Sequence, residues 1–209
     1  RFEVTFYQIE SDKTDERIRI VGLADLHNWT FGKDNRDLIG RIQTLGPDLI
    51  LIAGYMVVAG NDDISVAVSL CQNLAEIAPV YYSFGNHENE MVYGSDMLVE
   101  FLDEQAAEIG TDEYGTLDFD RIEMIDSRLP EQLKKVGVTI LNNGAASVNV
   151  KGQQVDIAGV DNLSGGYFPY SYHMIETFLT EDQQNLKLII AHRPLIPYAG
   201  IVYQEELRY

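Results

Sequence analysis

Side chains that can hold metal ions follow three predicted strands of this sequence, where each strand ends. Asp25 and His27 come directly after an apolar run that ends at Ala24. Asn86 and His87 follow a second run, and His192 follows the last one. Carboxylate, amide and imidazole groups are all ligands for divalent metal ions in proteins. If these strand ends lie at one edge of a sheet, the sequence predicts a metal-dependent site there.

Each of these motifs also has an ordinary structural interpretation. The Asp25–His27 pair could be solvated or cap a helix, and His192 could be a hydrogen-bonded residue at the rim of a sheet. The segment Gly85-Asn86-His87-Glu88 could be a sharp turn that glycine permits. Three of the four histidines nevertheless follow strands, while His173 lies in a helical pattern. This joint arrangement favours a functional site.

The elements that would position these residues alternate along the chain. Apolar runs and helical periodicity predict an α/β fold with a sheet covered on both faces. The predicted strands are residues 2–10, 17–24, 48–53, 80–84, 138–141, 145–150, 154–160 and 186–191. The predicted helices are residues 34–45, 64–77, 95–109, 122–136 with an interruption near Pro130, and 172–179. Asn142-Asn143-Gly144 and Lys151-Gly152 are typical of hairpin turns.

Composition limits the classes of function. The 209 residues predict a single domain over residues 1–209, with 45% hydrophobic residues and a net charge of −18 from 33 acidic and 15 basic side chains. So acidic a surface disfavours nucleic acid as a partner, and any phosphate chemistry would need metal ions. The only cysteine, Cys71, excludes an intrachain disulfide and fits a buried helix position. No apolar stretch approaches the roughly 20 residues that span a bilayer.

The order of the motifs resembles the calcineurin-like metallophosphoesterases, in particular their bacterial membrane-anchored branch. That family places Asp-x-His, Gly-Asp, Gly-Asn-His-Asp/Glu, a histidine and Gly-His-x-His at successive strand ends. This sequence has Asp25-x-His27, Gly54-Tyr55, Gly85-Asn86-His87-Glu88 and His192 in the same order. The resemblance implies a two-sheet mixed β-sandwich flanked by helices in four layers.

The resemblance also implies roles for individual residues. Asp25 and His27 would hold one metal ion, Asn86 and His192 a second, and His87 would stand next to the leaving group. The expected cofactors are two divalent ions, Mn, Fe or Zn, which activate water to hydrolyse a phosphomonoester or phosphodiester. Asn28 and Arg193 are possible substrate contacts, and Trp29 is a candidate for an exposed ring beside the site.

The resemblance further implies a small-molecule or lipid-linked phosphate ester as substrate. It implies a full-length protein that is membrane-anchored or exported, with any anchor outside this chain; the alternative is a cytoplasmic protein. The final Gly-His-x-His motif does not occur before Tyr209. The sequence therefore predicts a domain truncated at its C-terminus.

Tyr55 occupies the position where the family has its bridging aspartate. A phenol has one oxygen, an ordinary pKa near 10, and a ring that needs room. Three explanations stay open: a natural loss, an engineered inactivation, or a phenolate ligand to a trivalent ion. The alternative function is a catalytically impaired family member that acts as a binding or interaction domain.

Overall fold

The computed structural model describes residues 2–94, 124–160, 175, 177–180 and 184–192. The strands within these residues are β1 (Ile20–Leu23), β2 (Leu49–Ala53), β3 (Val80–Ser83), β4 (Val138–Ile140), β5 (Gly144–Val150), β6 (Gln153–Val160) and β7 (Leu186–Ala191). The helices are α1 (Arg36–Leu45), preceded by a 3-10 turn at Lys33–Asn35, then α2 (Ser65–Ala75), α3 (Asn86–Tyr93) and α4 (Arg128–Lys135).

The strands form two sheets. The first sheet has the order β1-β2-β3-β4 and all its neighbours run parallel. In the second sheet β5 pairs antiparallel with β6, and β6 pairs parallel with β7. Because β1, β2 and β3 are parallel neighbours, the loops that follow them leave the same edge of the first sheet. Those loops carry most of the residues singled out above.

The first sheet is covered on both faces, as its continuous apolar strands predict. Ile50 and Ile52 of β2 belong to the core between this sheet and helices α1, α2 and α4. Leu49 of the same strand belongs to a second core, which it shares with Ile157 of β6 and Ile190 of β7. A smaller cluster joins β6 to the helical residues 175 and 178. The prediction of an α/β fold with two sheets flanked by helices is confirmed.

The prediction of a strand over residues 2–10 is wrong. This segment has no regular secondary structure, and Phe6, Tyr7 and Ile9 are 70%, 86% and 84% exposed. Alternating apolar residues supply one apolar face, but a strand also needs a neighbour for its backbone hydrogen bonds. Phe2 instead packs edge-on against the Phe31 ring, with centroids 5.2 Å apart.

The two predicted hairpin turns have different outcomes. Lys151 and Gly152 have φ angles of 52° and 86° and join the antiparallel strands β5 and β6, as predicted. The turn at residues 142–144 does not make a hairpin, because β4 belongs to the first sheet and β5 to the second. Asn142 Oδ1 accepts a hydrogen bond from the Phe84 backbone N–H at 3.1 Å, which holds this crossover against the end of β3.

The helices also differ in detail from their prediction. Helix α3 begins at Asn86, where the sequence pattern indicates a loop. Helix α4 begins at Arg128, and Pro130 lies in its first turn, where its missing N–H breaks no helical bond. The predicted helix over residues 95–109 lies outside the described residues. None of the described helices combines the length and apolar character needed to cross a membrane.

Candidate active site

The loops that follow β1 and β2 run side by side. The backbone N–H of Asp25 donates to Gly54 O at 3.2 Å, that of His27 to Tyr55 O at 2.8 Å, and that of Asn28 to Met56 O at 3.0 Å. These bonds continue the parallel pairing past the ends of the strands. They fix Asp25 and His27 beside Tyr55.

Both loops contain side chains on left-handed backbone. The φ angles are 59° for Asp25, 51° for His27, 57° for Asn28 and 58° for Tyr55. Such angles are common for Asp and Asn but unusual for Tyr, and they cost on the order of 1 kcal/mol or more each. The paired loop backbones compensate for this cost. The fold therefore imposes the directions of these side chains.

Two glycines bring the loop after β2 against the start of α3. Gly54 has a φ of 69°, and a Cβ there would lie 2.4 Å from Gly85 N and 2.6 Å from Gly85 Cα. A Cβ on Gly85 would lie 2.8 Å from Tyr55 Cδ1. Because only glycine allows this backbone approach, both positions serve to place Tyr55 next to Asn86 and His87.

The fully buried carboxylate of Glu88 anchors this junction. Its Oε2 accepts hydrogen bonds from the Tyr55 N–H at 3.0 Å and the Gly85 N–H at 2.9 Å. Its Oε1 accepts from the Met56 N–H at 2.8 Å and the Tyr82 hydroxyl at 2.7 Å. These charge-assisted bonds hold the β2 loop, β3 and α3 together.

The anchoring role of Glu88 is not predicted from the sequence. A signal was available, because a glutamate three residues after Gly85 and at the start of a helix is typical of a capping box. The bond from Gly85 N–H to Glu88 Oε2 is the half of that motif made by the glutamate side chain, and Gly85 has no side chain to make the other half. Because residues 85–88 are predicted as a turn and not as the start of a helix, the prediction misses this motif.

The same buried region perturbs two neighbouring groups. Burial, with a further effect of Glu88, raises the pKa of the Cys71 thiol to about 12. Burial and the adjacent Glu88 also raise the pKa of Tyr82 well above its ordinary value. Both groups are therefore neutral at physiological pH, and Cys71 is a packing residue of α2, as predicted.

Backbone contacts fix the orientation of two histidines. His87 Nδ1 accepts a hydrogen bond from the Ala59 N–H at 3.0 Å, so the proton of a neutral ring is on Nε2. His192 Nδ1 lies 2.8 Å from the Ala53 carbonyl oxygen, to which it donates, so Nε2 keeps its lone pair. The two rings thus suit different tasks: His87 can donate a hydrogen bond from Nε2–H, and His192 can bind a metal ion through Nε2.

The Tyr55 ring lies among three imidazoles. Its centroid is 3.8 Å from that of His192, 4.2 Å from that of His87 and 4.9 Å from that of His27. The Tyr55 hydroxyl donates to Asn86 Oδ1. The phenol therefore fills the space between Asn86 and His192, the two residues expected to hold a second ion.

Asp25 and His27 lie on the open side of the site. Asp25 Oδ1 is 3.8 Å from His27 Nε2, and the two side chains are 60% and 41% exposed. Two ligand atoms that each lie about 2.0–2.2 Å from a common ion are about 3–4 Å apart. This pair fits one divalent ion. No group of three His, Cys, Asp or Glu side chains within the described residues forms a complete metal site.

The structure thus brings most of the predicted site residues together. The residues that converge are Asp25, His27, Tyr55, Asn86, His87 and His192. Asn28 lies at the edge of this group, and its Nδ2 donates to the Asp63 carbonyl oxygen at 2.9 Å. Trp29 is exposed, as expected. Arg193 lies outside the described residues.

One curated relative is similar to this chain over part of its length. The chain is 28% identical over 153 residues to phosphodiesterase YaeI of Escherichia coli K12, which covers 71% of this chain and 45% of YaeI. The chain therefore spans less than half the length of that relative.

Two solved structures cover most of the chain at low identity. Phosphopantetheinyl hydrolase (PptH) of Mycobacterium tuberculosis is 12% identical with a TM-score of 0.46, over 88% of this chain and 72% of PptH. The protein of unknown function AQ665 of Aquifex aeolicus is 11% identical with a TM-score of 0.34, over 90% of this chain and 86% of AQ665.

The match to a protein family extends over nearly the whole chain. The calcineurin-like phosphoesterase model matches residues 18–208. This span includes both paired loops, the start of α3 and His192. The chain therefore belongs to the calcineurin-like phosphoesterase family.

Proposed function

We propose that this domain is a metal-dependent phosphoester hydrolase of the phosphodiesterase or phosphatase type. The observation that carries the proposal is the convergence of His27, His87 and His192 at one edge of the first sheet. Membership of the phosphoesterase family and the similarity to a protein named a phosphodiesterase support it.

In this proposal His87 assists the departure of the leaving group. Its Nδ1 accepts the Ala59 N–H, so Nε2–H can donate a hydrogen bond to the leaving oxygen and stabilise the charge that develops there as the P–O bond breaks. The leaving oxygen departs with the electron pair of the broken P–O bond and takes its proton from solvent. Helix α3 and the Glu88 anchor hold the ring in this orientation.

One divalent ion, Mn, Fe or Zn, would be held by Asp25 and His27. Such an ion neutralises phosphate charge and lowers the pKa of bound water. A second ion between Asn86 and His192 does not fit, because the Tyr55 ring fills that space. No step of the proposal depends on a second ion.

The test is turnover of bis(p-nitrophenyl) phosphate and p-nitrophenyl phosphate by the Mn²⁺-loaded chain. His87→Asn is the informative variant, because an asparagine oxygen can accept the Ala59 N–H in place of Nδ1 but places no N–H donor where Nε2–H lies. We expect it to lower kcat by about 10²- to 10³-fold, the cost of losing one hydrogen-bond donor to developing charge. Lys134→Ala, at an exposed position of α4, is the matched control and should not change kcat.

Two results would contradict this proposal. One is turnover that persists after dialysis against EDTA, and the other is wild-type kcat in His87→Asn. A folded, metal-loaded chain without turnover would instead favour the second candidate function.

The second candidate is a catalytically impaired domain that binds phosphate compounds or a partner protein. The packing of Tyr55 against His87 and His192 favours it, because these are the side chains that would act on a substrate. Calorimetric titration of the inactive chain with inorganic phosphate or a non-hydrolysable phosphonate tests this candidate. Saturable heat without turnover supports it, and absence of both binding and turnover excludes it for phosphate ligands.

The proposed substrate is a small-molecule or lipid-linked phosphate ester. The net charge of −18 supports this choice, because so acidic a chain repels long nucleic acids. Comparing kcat/KM on a soluble aryl phosphodiester, a phospholipid in micelles and single-stranded DNA tests it. Activity highest on DNA would overturn it.

Two further expectations extend the proposal. The full-length protein is proposed to be membrane-anchored or exported, with the alternative of a cytoplasmic protein, and fractionation of source cells with an antibody to this domain distinguishes them. The four-layer arrangement of the two sheets and their helices is likewise proposed from family membership. An experimental structure of the whole chain tests that arrangement.

A further inference from the structure

We infer that the Tyr55 side chain restricts this site to a single divalent cation, held on the Asp25–His27 side. The inference rests on the proposed metal-dependent function, and it concerns how many ions the chain binds rather than whether it turns over a substrate. Its basis is that Asn86 and His192, the ligands for a second ion, are present, while the Tyr55 ring occupies the space between them.

The ligands on the Asn86 side are present but obstructed. Asn86 Oδ1, the oxygen that an amide offers to a cation, accepts the Tyr55 hydroxyl hydrogen. The His192 centroid lies only 3.8 Å from the Tyr55 centroid, with the ring planes tilted by 41°. An ion between these two ligands would have to displace the phenol.

The phenol is not free to move aside with its backbone. Tyr55 N–H is bound by Glu88 Oε2 at 3.0 Å, and Tyr55 O accepts the His27 N–H at 2.8 Å. The adjoining Gly54 is packed against the Gly85 backbone. The ring is also enclosed by three imidazoles. Moving it would break contacts on several sides.

The Asp25–His27 side lacks this obstruction. The Asp25 and His27 side chains are 60% and 41% exposed, and their ligand atoms are 3.8 Å apart. The Tyr55 ring contacts His27 edge-on at 4.9 Å rather than lying against its face, with the planes 69° apart. A cation can therefore reach this pair without displacing Tyr55.

The experiment counts Mn²⁺ ions per chain by elemental analysis after gel filtration, and by calorimetric titration. We expect one ion for the wild type. Tyr55→Gly removes the ring and suits the left-handed backbone at this position, so we expect two ions. Tyr55→Phe keeps the ring without the hydroxyl, and we expect one ion, because the ring is the obstruction.

A second substitution assigns the additional ion. His192→Ala in the Tyr55→Gly background should return the count to one, whereas Asp25→Ala in the same background should remove the other ion. Circular dichroism confirms that each variant is folded. Two ions in the wild type, none in the wild type, or one ion in folded Tyr55→Gly would each overturn the inference.

Turnover distinguishes this inference from the proposed function. A Tyr55→Gly chain that binds two ions and hydrolyses no phosphoester supports the inference and contradicts the proposed activity. A wild-type chain that hydrolyses phosphoesters with two ions bound supports the activity and overturns the inference.

Discussion

The two sides of the candidate site differ in how they are packed. On the open side Asp25 and His27 extend toward solvent from a loop whose backbone N–H groups donate to the loop after β2. On the other side, called the packed side below, the rings of Tyr55 and His192 contact each other near the fully buried carboxylate of Glu88. Hydrogen bonds within the chain hold the framework of the packed side. Buried hydrogen bonds of Glu88 keep it in place, and Tyr55 can therefore occupy ligand space without loss of the fold.

Tyr55→Asp changes the packed side most strongly. A carboxylate replaces the phenol, relieves the crowding against His87 and His192, and is better tolerated on left-handed backbone. If charge stabilisation at this side limits the reaction, we expect kcat on bis(p-nitrophenyl) phosphate to rise by at least about 100-fold. Tyr55→Phe, which keeps the ring, is the control. Equal rates for the two variants would contradict this view of the packed side.

Glu88→Ala should break the framework of the packed side. It leaves the N–H groups of Tyr55, Met56 and Gly85 without their acceptor, and each buried unpaired donor costs about 1–3 kcal/mol. We expect the free energy of unfolding to fall by about 3 kcal/mol or more in urea titrations.

Tyr82→Phe is the matched control for Glu88→Ala, because it removes a single donor to the same carboxylate. It should lower the free energy of unfolding by only about 1 kcal/mol. If the two variants were equally stable, Glu88 would not be the anchor of the site.

Thiol labelling of Cys71 tests whether α2 is packed in the core as described. Burial raises the pKa of its thiol to about 12, and the thiolate is the reactive form. In the native chain we therefore expect negligible reaction with a thiol reagent from pH 7 to pH 9, and full reaction in guanidinium chloride. Rapid labelling of the native chain at pH 8 would mean that α2 is not packed as described.

The smallest effect is expected far from the site, where Lys151 ties the β5–β6 turn to Asp48 before β2. Burial alone would raise the pKa of Asp48, but the Lys151 ammonium at 2.7 Å and the Arg19 N–H outweigh it and lower this pKa. The carboxylate therefore stabilises the fold above its ordinary pKa of 3.8, and this contribution is lost as the pH falls through the lowered value.

Lys151→Ala should therefore lower the free energy of unfolding at pH 7 by up to about 1 kcal/mol, with less effect near pH 2. Lys135→Ala removes a more exposed pair with Glu131 at 3.9 Å and is the control. A larger loss in Lys135→Ala than in Lys151→Ala would contradict the account of Asp48.

The sequence predicted the elements of the first sheet well. Strand β2 is apolar on both faces, and segments with helical periodicity separate it from β1 and β3 along the chain. The loops after β1, β2 and β3 could be predicted to converge, since parallel neighbours end at one edge. The sequence pattern does not show that β7, in the second sheet, brings His192 to the same place. It did not predict the role of Glu88, which arises from a long-range contact to the Tyr55 and Met56 backbone. Nor could alternation at residues 2–10 reveal that no strand pairs with that segment.

The central claim is that the open side binds metal and the packed side does not. Calorimetric titration of Mn²⁺ into Asp25→Ala and His192→Ala, beside the wild type, tests this claim most directly. We predict that Asp25→Ala loses binding, while His192→Ala keeps wild-type affinity and one bound ion. Loss of binding in His192→Ala with wild-type binding in Asp25→Ala would contradict the account.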